Sequence, residues 1–487
     1  MPDQNTVFRP SFNRSLEIEA RSERLTNNPG AVLLRELLDK LGLVPWLCSQ
    51  LSDPRRPELI TYPLSELLRT RLLLLAQGYQ DQDDADFLRD DPSMLVSVSE
   101  RRGLGPLQTG RTEGSPALRK NPPVPEHLSS QPTMSRFLEL LSAEPHRALL
   151  RESLLESASR RNELQRGARM RHVTVDIDSL PIEAHGHQPG SAYNGHYDER
   201  IYHPLVATLG ETGDLLDVKL REGSVHTAHG AAEFVLPLLS RVEKRLGQVA
   251  AVRMDAGFPE EELLSALERR RTPYVARLRS NAVLDRMAEP YLRRPPGRRP
   301  ANERVWTFEL NYQAQSWTKG RRVVLVVLDR PGELFLHHFW LVTNWTAEQV
   351  GGEALLQTYR ERGTAEGYMG ELMNAIGPVL SGSARPKSHY RGARVEKGTL
   401  PADGFAHNEA TLLLCCLAYN LMHAVRMLAE AETRAGMSLK TLRQRVLSVA
   451  SRVLLHARRA TLVIGDFAAP LWRRLGARLA RLRPLVT

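Results

Sequence analysis

Apolar residues recur every three to four positions through the first third of the chain, which is helix spacing. VLLRELLDKLGLVPWL (32–47) presents one apolar stripe and meets a helix stop at Pro45. LSELLRTRLLLLAQGY (64–79) is a second amphipathic helix, closed by Gly78 at a C-cap position. QDQDDADFLRDDP (80–92) is acid-rich, but it lacks the spacing and the glycine of an EF-hand loop, so it reads as a helix start. Residues 103–127 are rich in Gly, Pro and Ser with basic punctuation and read as a linker or exposed loop. SQPTMSR (130–136) then leads into FLELLSAEPHRALLRESLLESASRR. That pattern fits a helix-turn-helix-like DNA module and an ordinary helical hairpin equally. Up to about residue 165 the texture is helical.

From residue 172 the period shortens. Strands are expected at 172–178, 201–209 and 214–221, the last two joined across GETG (210–213) as a hairpin. A helix follows at about 228–246, then the strand VAAVRMD (249–255), a helix at about 259–270 and the strand YVARL (274–278). Hairpin-like strands, then helix, strand, helix and strand, make the order of a ribonuclease H-like α/β domain. RVWTFEL, RRVVLVVLD and LHHFWLVTNW alternate like strands, after a basic, proline-rich stretch at 285–300. YRERGTAEGYMGELM (359–373) reads as one helix, 382–400 as a basic exposed loop, and ATLLLCCLAYNLMHAVRML (410–428) as a core helix. The predicted fold class is therefore α/β, a ribonuclease H-like catalytic core over 170–284 and 336–430 with a β-rich insertion at 285–335. A flexible arm (1–28) and a helical, DNA-binding N-terminal region (29–165) precede it, and a helical, basic C-terminal region (431–487) follows.

Polar positions that interrupt this pattern carry the candidate chemistry. Two β-branched runs end in acid, VTVDID (173–178) and VAAVRMD (249–255). A carboxylate at the end of a buried strand is costly unless it is paired or metal-bound. In 359–373, Tyr359, Arg362 and Glu366 stand at i, i+3 and i+7, one face of a continuous helix. By itself that face also suits a solvated surface helix. Two strand-end aspartates and a helix glutamate together make the acidic triad that two-metal phosphoryl transfer requires. The members are Asp178, Asp255 and Glu366, with Asp176, on the same strand face as Asp178, as the alternate first acid.

Charge narrows the partners. Lys plus Arg number 66 against 56 for Asp plus Glu, a net +10 with a pI near 9.7. That balance favours a polyanion, either nucleic acid or an anionic membrane surface. Of three cysteines, Cys415 and Cys416 are adjacent in the apolar helix and read as core packing, not as a disulfide or zinc site. No apolar run approaches the roughly 20 residues of a membrane span, and no signal peptide precedes the fold. The expectation is a soluble protein of a reducing compartment.

With Tyr359, Arg362 and Glu366 in place, the chain resembles the DDE transposases of bacterial insertion sequences, the group with a Y-x2-R-x3-E-x6-K signature. Further matches are GYQDQDDADFLRDDP (78–92), QPTMSRFL (131–138), DIDSLPIEAHGHQ (176–188), YNGHYDERIYHPL (193–205), GDLLDVKLREGSVHTAHGA (213–231), RMDAGF (253–258) and HNEATLLLCCLAYNL (407–421). Each is weak alone, and their shared order over roughly 30–470 carries the resemblance. It implies a ribonuclease H-like core that binds two Mg2+ or Mn2+ ions through Asp178, Asp255 and Glu366. It also implies strand cleavage and strand transfer at the terminal inverted repeats of the element, by a homodimer on double-stranded DNA in the bacterial cytoplasm, nucleoid-associated. Tyr359 and Arg362 would contact the phosphate backbone near the cut. The basic residues Arg293, Arg294, Arg298 and Arg299 would track phosphates and make binding salt-dependent.

Two features depart from the family pattern. The lysine of the signature is Met373 here, which has no donor for a phosphate oxygen. Lys387, Arg391 or another base would have to supply that contact, and at an exposed helix position Met373→Lys is expected to raise activity. The alternative function is a catalytically weakened DNA-binding protein on a retained transposase fold. DSL (178–180) also stands where the family's first acid lies in a D-x-T-like motif. The histidines His185, His187, His196, His203, His226 and His229 cluster in sequence, but their spacing matches no zinc motif, and they read as polar-turn or DNA-proximal residues.

Overall fold

The computed structural model describes residues 9–13, 15–19, 23–99, 127–297, 301–381, 404–430, 436–456 and 459–485. An eight-stranded mixed sheet lies at its centre. In chain order the strands are β1 His172–Ser179, β2 Leu205–Leu209, β3 Leu215–Lys219, β4 Gln248–Met254, β5 Tyr274–Leu278, β6 Arg304–Tyr312, β7 Arg321–Asp329 and β8 His337–Thr343. Across the sheet they run β6-β7-β8-β5-β4-β1-β2-β3. β4 is parallel to both β1 and β5, and every other neighbouring pair is antiparallel. The portion β3-β2-β1-β4-β5, with only β2 reversed, is the ribonuclease H-like order that the sequence pattern predicts. β6 and β7, from the stretch expected as an insertion, continue this same sheet outward from β8.

Around the sheet pack α1 Gly30–Leu41, α2 Leu64–Gln77, α3 Glu144–Arg166, α4 Ala231–Arg245, α5 Glu261–Arg270, α6 Gly352–Arg360, α7 Gly363–Glu371, α8 Gly404–Glu430 and α9 Ala469–Arg481. Alternation on β1 buries Val173, Val175 and Ile177 in the same apolar cluster as Phe234 and Leu238 of α4 and Leu264 of α5. Thr174, Asp176 and Asp178 therefore point to the other face. On that side Leu355 and Leu356 of α6 cluster with Val275, Val324 and Leu341. Another apolar cluster joins α1, α2, α3 and α8 to Val206 of β2 and Val218 of β3. α8 is apolar and long enough to cross a membrane, yet its most apolar window is 94% buried inside the protein, as a core helix is. Its Asn420 accepts from the Leu215 backbone N–H at 2.9 Å and donates to the Leu215 carbonyl at 2.9 Å, occupying the sheet-edge hydrogen bonds of β3.

The C-terminal region departs from the helical expectation. Ser451–His456 and Arg459–Ile464 form an antiparallel hairpin ahead of α9. SRVLLH and RATLVI are rich in Leu, Val and Ile, and Val453 is buried where Arg452 and Leu454 are exposed, a period of two. Leu25–Thr26, at the end of the expected flexible arm, adds a third strand to this hairpin. Residues 25–26 and 451–464 are thereby tied together in one small sheet.

Candidate active site

The site starts from strand register. Parallel pairing sets Asp176 opposite Arg253 and Ile177 opposite Met254. One residue further, Asp178 and Asp255 leave the carboxyl ends of adjacent parallel strands together. That is where ligands of open α/β sheets collect. The two aspartates of β1 have different fates. Asp176 is 2% exposed and is gripped by Arg253, Nε to Oδ1 at 2.5 Å and Nη2 to Oδ2 at 2.7 Å. Burial pushes its carboxyl up, against the pull of Arg253. Arg253 also donates to the Thr358 carbonyl at 3.2 Å and to Glu361 at 3.1 Å, so the pair fastens β1 and β4 to the end of α6. Both oxygens of Asp176 are engaged in this structural pair. Asp176, the alternate first acid, thus sits in a buried ion pair that joins the two strands.

Asp178 has a different setting. Its Oδ1 accepts from the Ser179 backbone N–H at 2.8 Å, and its Oδ2 accepts from Nη2 of Arg362. Burial raises its carboxyl pKa to about 6, overcoming Arg362, with Asp255 and Glu366 adding like-charge repulsion. Asp255 is half-buried and acts electrostatically on Asp178, Arg362 and Tyr359. Glu366 is exposed and accepts from Nη1 of Arg362 at 2.6 Å. The three acids proposed from sequence are therefore brought together, and Arg362 links two of them directly.

The expected single helix over 359–373 is interrupted. α6 ends at Arg360 and α7 begins at Gly363. Between them the N–H groups of Arg362, Thr364 and Ala365 donate to carbonyls three residues back, a tightened turn. Gly363 weakens the helix locally, and the Asp178–Arg362–Glu366 bridge fixes the turn. Arg362 is only 5% exposed as a result. Tyr359, at the end of α6, packs its ring 6.5 Å from Phe339, and burial raises its phenol.

α7, GTAEGYMGE, has three glycines and little intrinsic helix preference, so packing holds it. Tyr368 lies on Gly213 so closely that a Cβ there would meet its ring at 2.4 Å, and Gly213 also needs a φ of +84°. Glu371 pairs with Arg426 of α8, which donates to Nδ1 of His423 at 2.6 Å. Nε2 of His423 then bonds the Thr212 carbonyl at 2.6 Å, and burial lowers this imidazole's pKa to about 4, keeping it neutral. Met373 departs from the exposed position expected of it. The chain widens into a π turn at Leu372–Ile376, and Met373 is half-buried against the cluster around α8.

The remaining predicted contacts are dispersed. Arg293 is exposed, whereas Arg294 is held internally by Asp329 at 2.8 Å and by the carbonyls of Glu333 and Leu334. Arg298, Arg299, Lys387 and Arg391 lie outside the described residues. His226 sits 3.3 Å from Glu260, and the other histidines of the cluster line turns and the small sheet formed by Ile182–Glu183, Glu199–Tyr202 and Ala192–Asn194. Sequence reasoning overlooked Arg253 and Tyr197. Arg253 stands two residues before Asp255 as Asp176 stands two before Asp178, a pairing that strand register reveals. Tyr197 is half-buried, makes edge contacts with His196 and His203, and feels the charges of Asp178 and Asp255. Nothing local in the sequence marks it.

Among the described residues no three His, Cys, Asp or Glu side chains already form a cation cage. The donors nonetheless suit a hard divalent cation, being carboxylates delivered from two strand ends and a helix. A guanidinium, itself a cation, already bridges two of them.

A ribonuclease H-like sheet with aspartates at its two central strand ends, and a glutamate beside them, has the build of a DDE domain. The sequence matches the family Transposase DDE domain group 1 over residues 8–377 and 391–487, and the chain belongs to that family. Among solved structures, the cryo-EM structure of a piggyBac transposase synaptic complex with hairpin DNA matches at 11% identity. The match has a TM-score of 0.39 and covers 95% of this chain and 86% of that one, a likeness too slight to bear on function. None of the curated proteins matches.

Proposed function

We propose that the chain is a transposase that binds the terminal inverted repeats of its element, cuts the DNA there and transfers the ends to target DNA. The observation that supports this best is the register of β1 against β4, which sets Asp178 beside Asp255, with Arg362 tying Glu366 to the same point. In this reading Asp178, Asp255 and Glu366 hold two Mg2+ or Mn2+ ions, which supply nucleophile activation and leaving-oxygen stabilisation for in-line displacement. The protein's own share is positional. Asp178 is ionised above about pH 6, the form that can serve as a ligand. The Asp176–Arg253 pair holds the two strand ends in line, and Tyr359 and Arg362 would contact the scissile phosphate once DNA is bound. Arg293, Arg298 and Arg299 contact the duplex backbone, which positions DNA without reading its sequence. A homodimer would hold the two element ends together.

The test is cleavage of a labelled duplex carrying the terminal repeats. Asp178→Ala, Asp255→Ala and Glu366→Ala should each abolish magnesium-dependent nicking while duplex binding persists in a gel-shift assay. Wild-type cleavage by Asp255→Ala would remove the two-metal reading. A second reading, a DNA-binding protein with weakened catalysis, draws on Met373, because the lysine of the signature is missing and its place is packed against the core. The same assay on the wild-type chain separates the two: duplex binding without nicking supports the second.

A further inference from the structure

Arg362 presents an unusual arrangement for a residue assigned to DNA contact. Its guanidinium is turned inward, with Nη1 on Glu366 and Nη2 on Asp178, and Asp255 acts on it from the second strand end. Its Nε is buried without a hydrogen-bond partner. Those carboxylates are the ones a divalent cation would need, and a guanidinium held on one oxygen of each competes with the ion for their charge. Two divalent ions beside an arginine would also repel it, whereas a phosphate oxygen offers it a new anionic partner. The arginine lies on the tightened turn between α6 and α7, so a change of partner there needs no rearrangement of the sheet.

We propose that Arg362 stands in for the catalytic cations before DNA binds, so that metal entry and the turning of Arg362 onto a DNA phosphate are one coupled event. This rests on the proposed role of Asp178 and Glu366 as cation ligands. The consequence is reciprocal: DNA tightens metal binding, and metal tightens DNA binding by the same factor. A chain without DNA then holds its metals weakly.

The experiment is Mn2+ titration of the full chain, followed by the EPR signal of free Mn2+, with and without a short duplex. Arg362→Gln removes the competing charge and should bind Mn2+ about tenfold more tightly than wild type without DNA, within the 5–150-fold usual for coupled sites. Duplex should raise the Mn2+ affinity of wild type and leave that of Arg362→Gln nearly unchanged. Arg362→Lys keeps a charge but lacks the planar fork that sets a separate nitrogen against each carboxylate, and should fall between them; it also serves if the glutamine variant fails to fold. Equal or weaker Mn2+ binding by Arg362→Gln without DNA, or lysine behaving as wild type, overturns the proposal. A double variant, Asp178→Asn with Glu366→Gln, distinguishes the two levels. If it binds Mn2+ as wild type does, the ligand assignment itself fails and the coupling falls with it. If it loses Mn2+ while Arg362→Gln gains nothing, only the coupling fails.

Discussion

Asp176 and Asp178 lie two residues apart on one face of β1, and their removal should act on stability to different extents. Asp176→Ala leaves Arg253, 2% exposed, without its two-pronged partner. Stripping one member from a buried pair costs about 3–5 kcal/mol, because the remaining charge stays buried. The contact of Arg253 with Glu361 recovers less than about 1 kcal/mol, since Glu361 is 61% exposed and solvent screens it. At Asp178, moving the carboxyl from 3.8 to about 6 disfavours the ionised folded form by about 3 kcal/mol at neutral pH. Asp178→Asn removes that penalty but also takes one carboxylate from Arg362, 5% exposed, which keeps Glu366, so its change in stability should be smaller than that of Asp176→Ala. Both variants should lose cleavage, the first by loosening the two strand ends and the second by removing a ligand. The assay is urea denaturation by far-UV circular dichroism at pH 7.5 without divalent metal, alongside nicking. An Asp176→Ala variant within about 0.5 kcal/mol of wild type, or an equal loss in both, would refute the assignment of Asp176 to structure and Asp178 to the site.

The pH dependence follows from the same carboxyl. The folded state keeps the Asp178 proton to higher pH than the unfolded chain, so its stabilising contribution is full below 3.8 and is lost as pH rises through about 6. Cation binding runs the other way: Mn2+ affinity should fall roughly tenfold per pH unit below 6 and level off above it, and a flat profile from titrations at pH 5 to 8 would count against Asp178 as a ligand. Met373→Lys should lower the melting temperature, by about 1 kcal/mol of stability, without raising cleavage, because the residue is half-buried against the α8 cluster. More cleavage at an unchanged melting temperature would mean that the side chain reaches DNA after all.

Much of the fold was legible from periodicity. Short β-branched runs marked β1 and β4, apolar stripes marked α1 and α2, a long apolar run marked α8, and the order of elements pointed to the ribonuclease H-like sheet. The candidate acids Asp178 and Asp255 stood out as carboxylates at the ends of apolar strands, and Glu366 through its spacing from Tyr359 and Arg362. The tail hairpin was obscured by its arginines, and its third strand comes from Leu25–Thr26, more than 400 residues away in sequence. The break before α7 was equally hidden, since helix spacing alone describes a continuous face for Tyr359, Arg362 and Glu366.

Sequence alone determined which residues share a face, since side-chain direction follows from a local period of two or 3.6 residues. It could not separate Asp176 from Asp178, which alternation makes equivalent. Only the tertiary structure gives them different surroundings, by setting Arg253 of the neighbouring strand against Asp176 and Arg362 of a distant turn against Asp178. It likewise placed Met373 against the core, where a π turn shifts the helix register. The physical reason is common to these cases: periodicity is a local property of the backbone, whereas pairing register, buried ion pairs and helix irregularities arise from contacts between residues far apart in the chain.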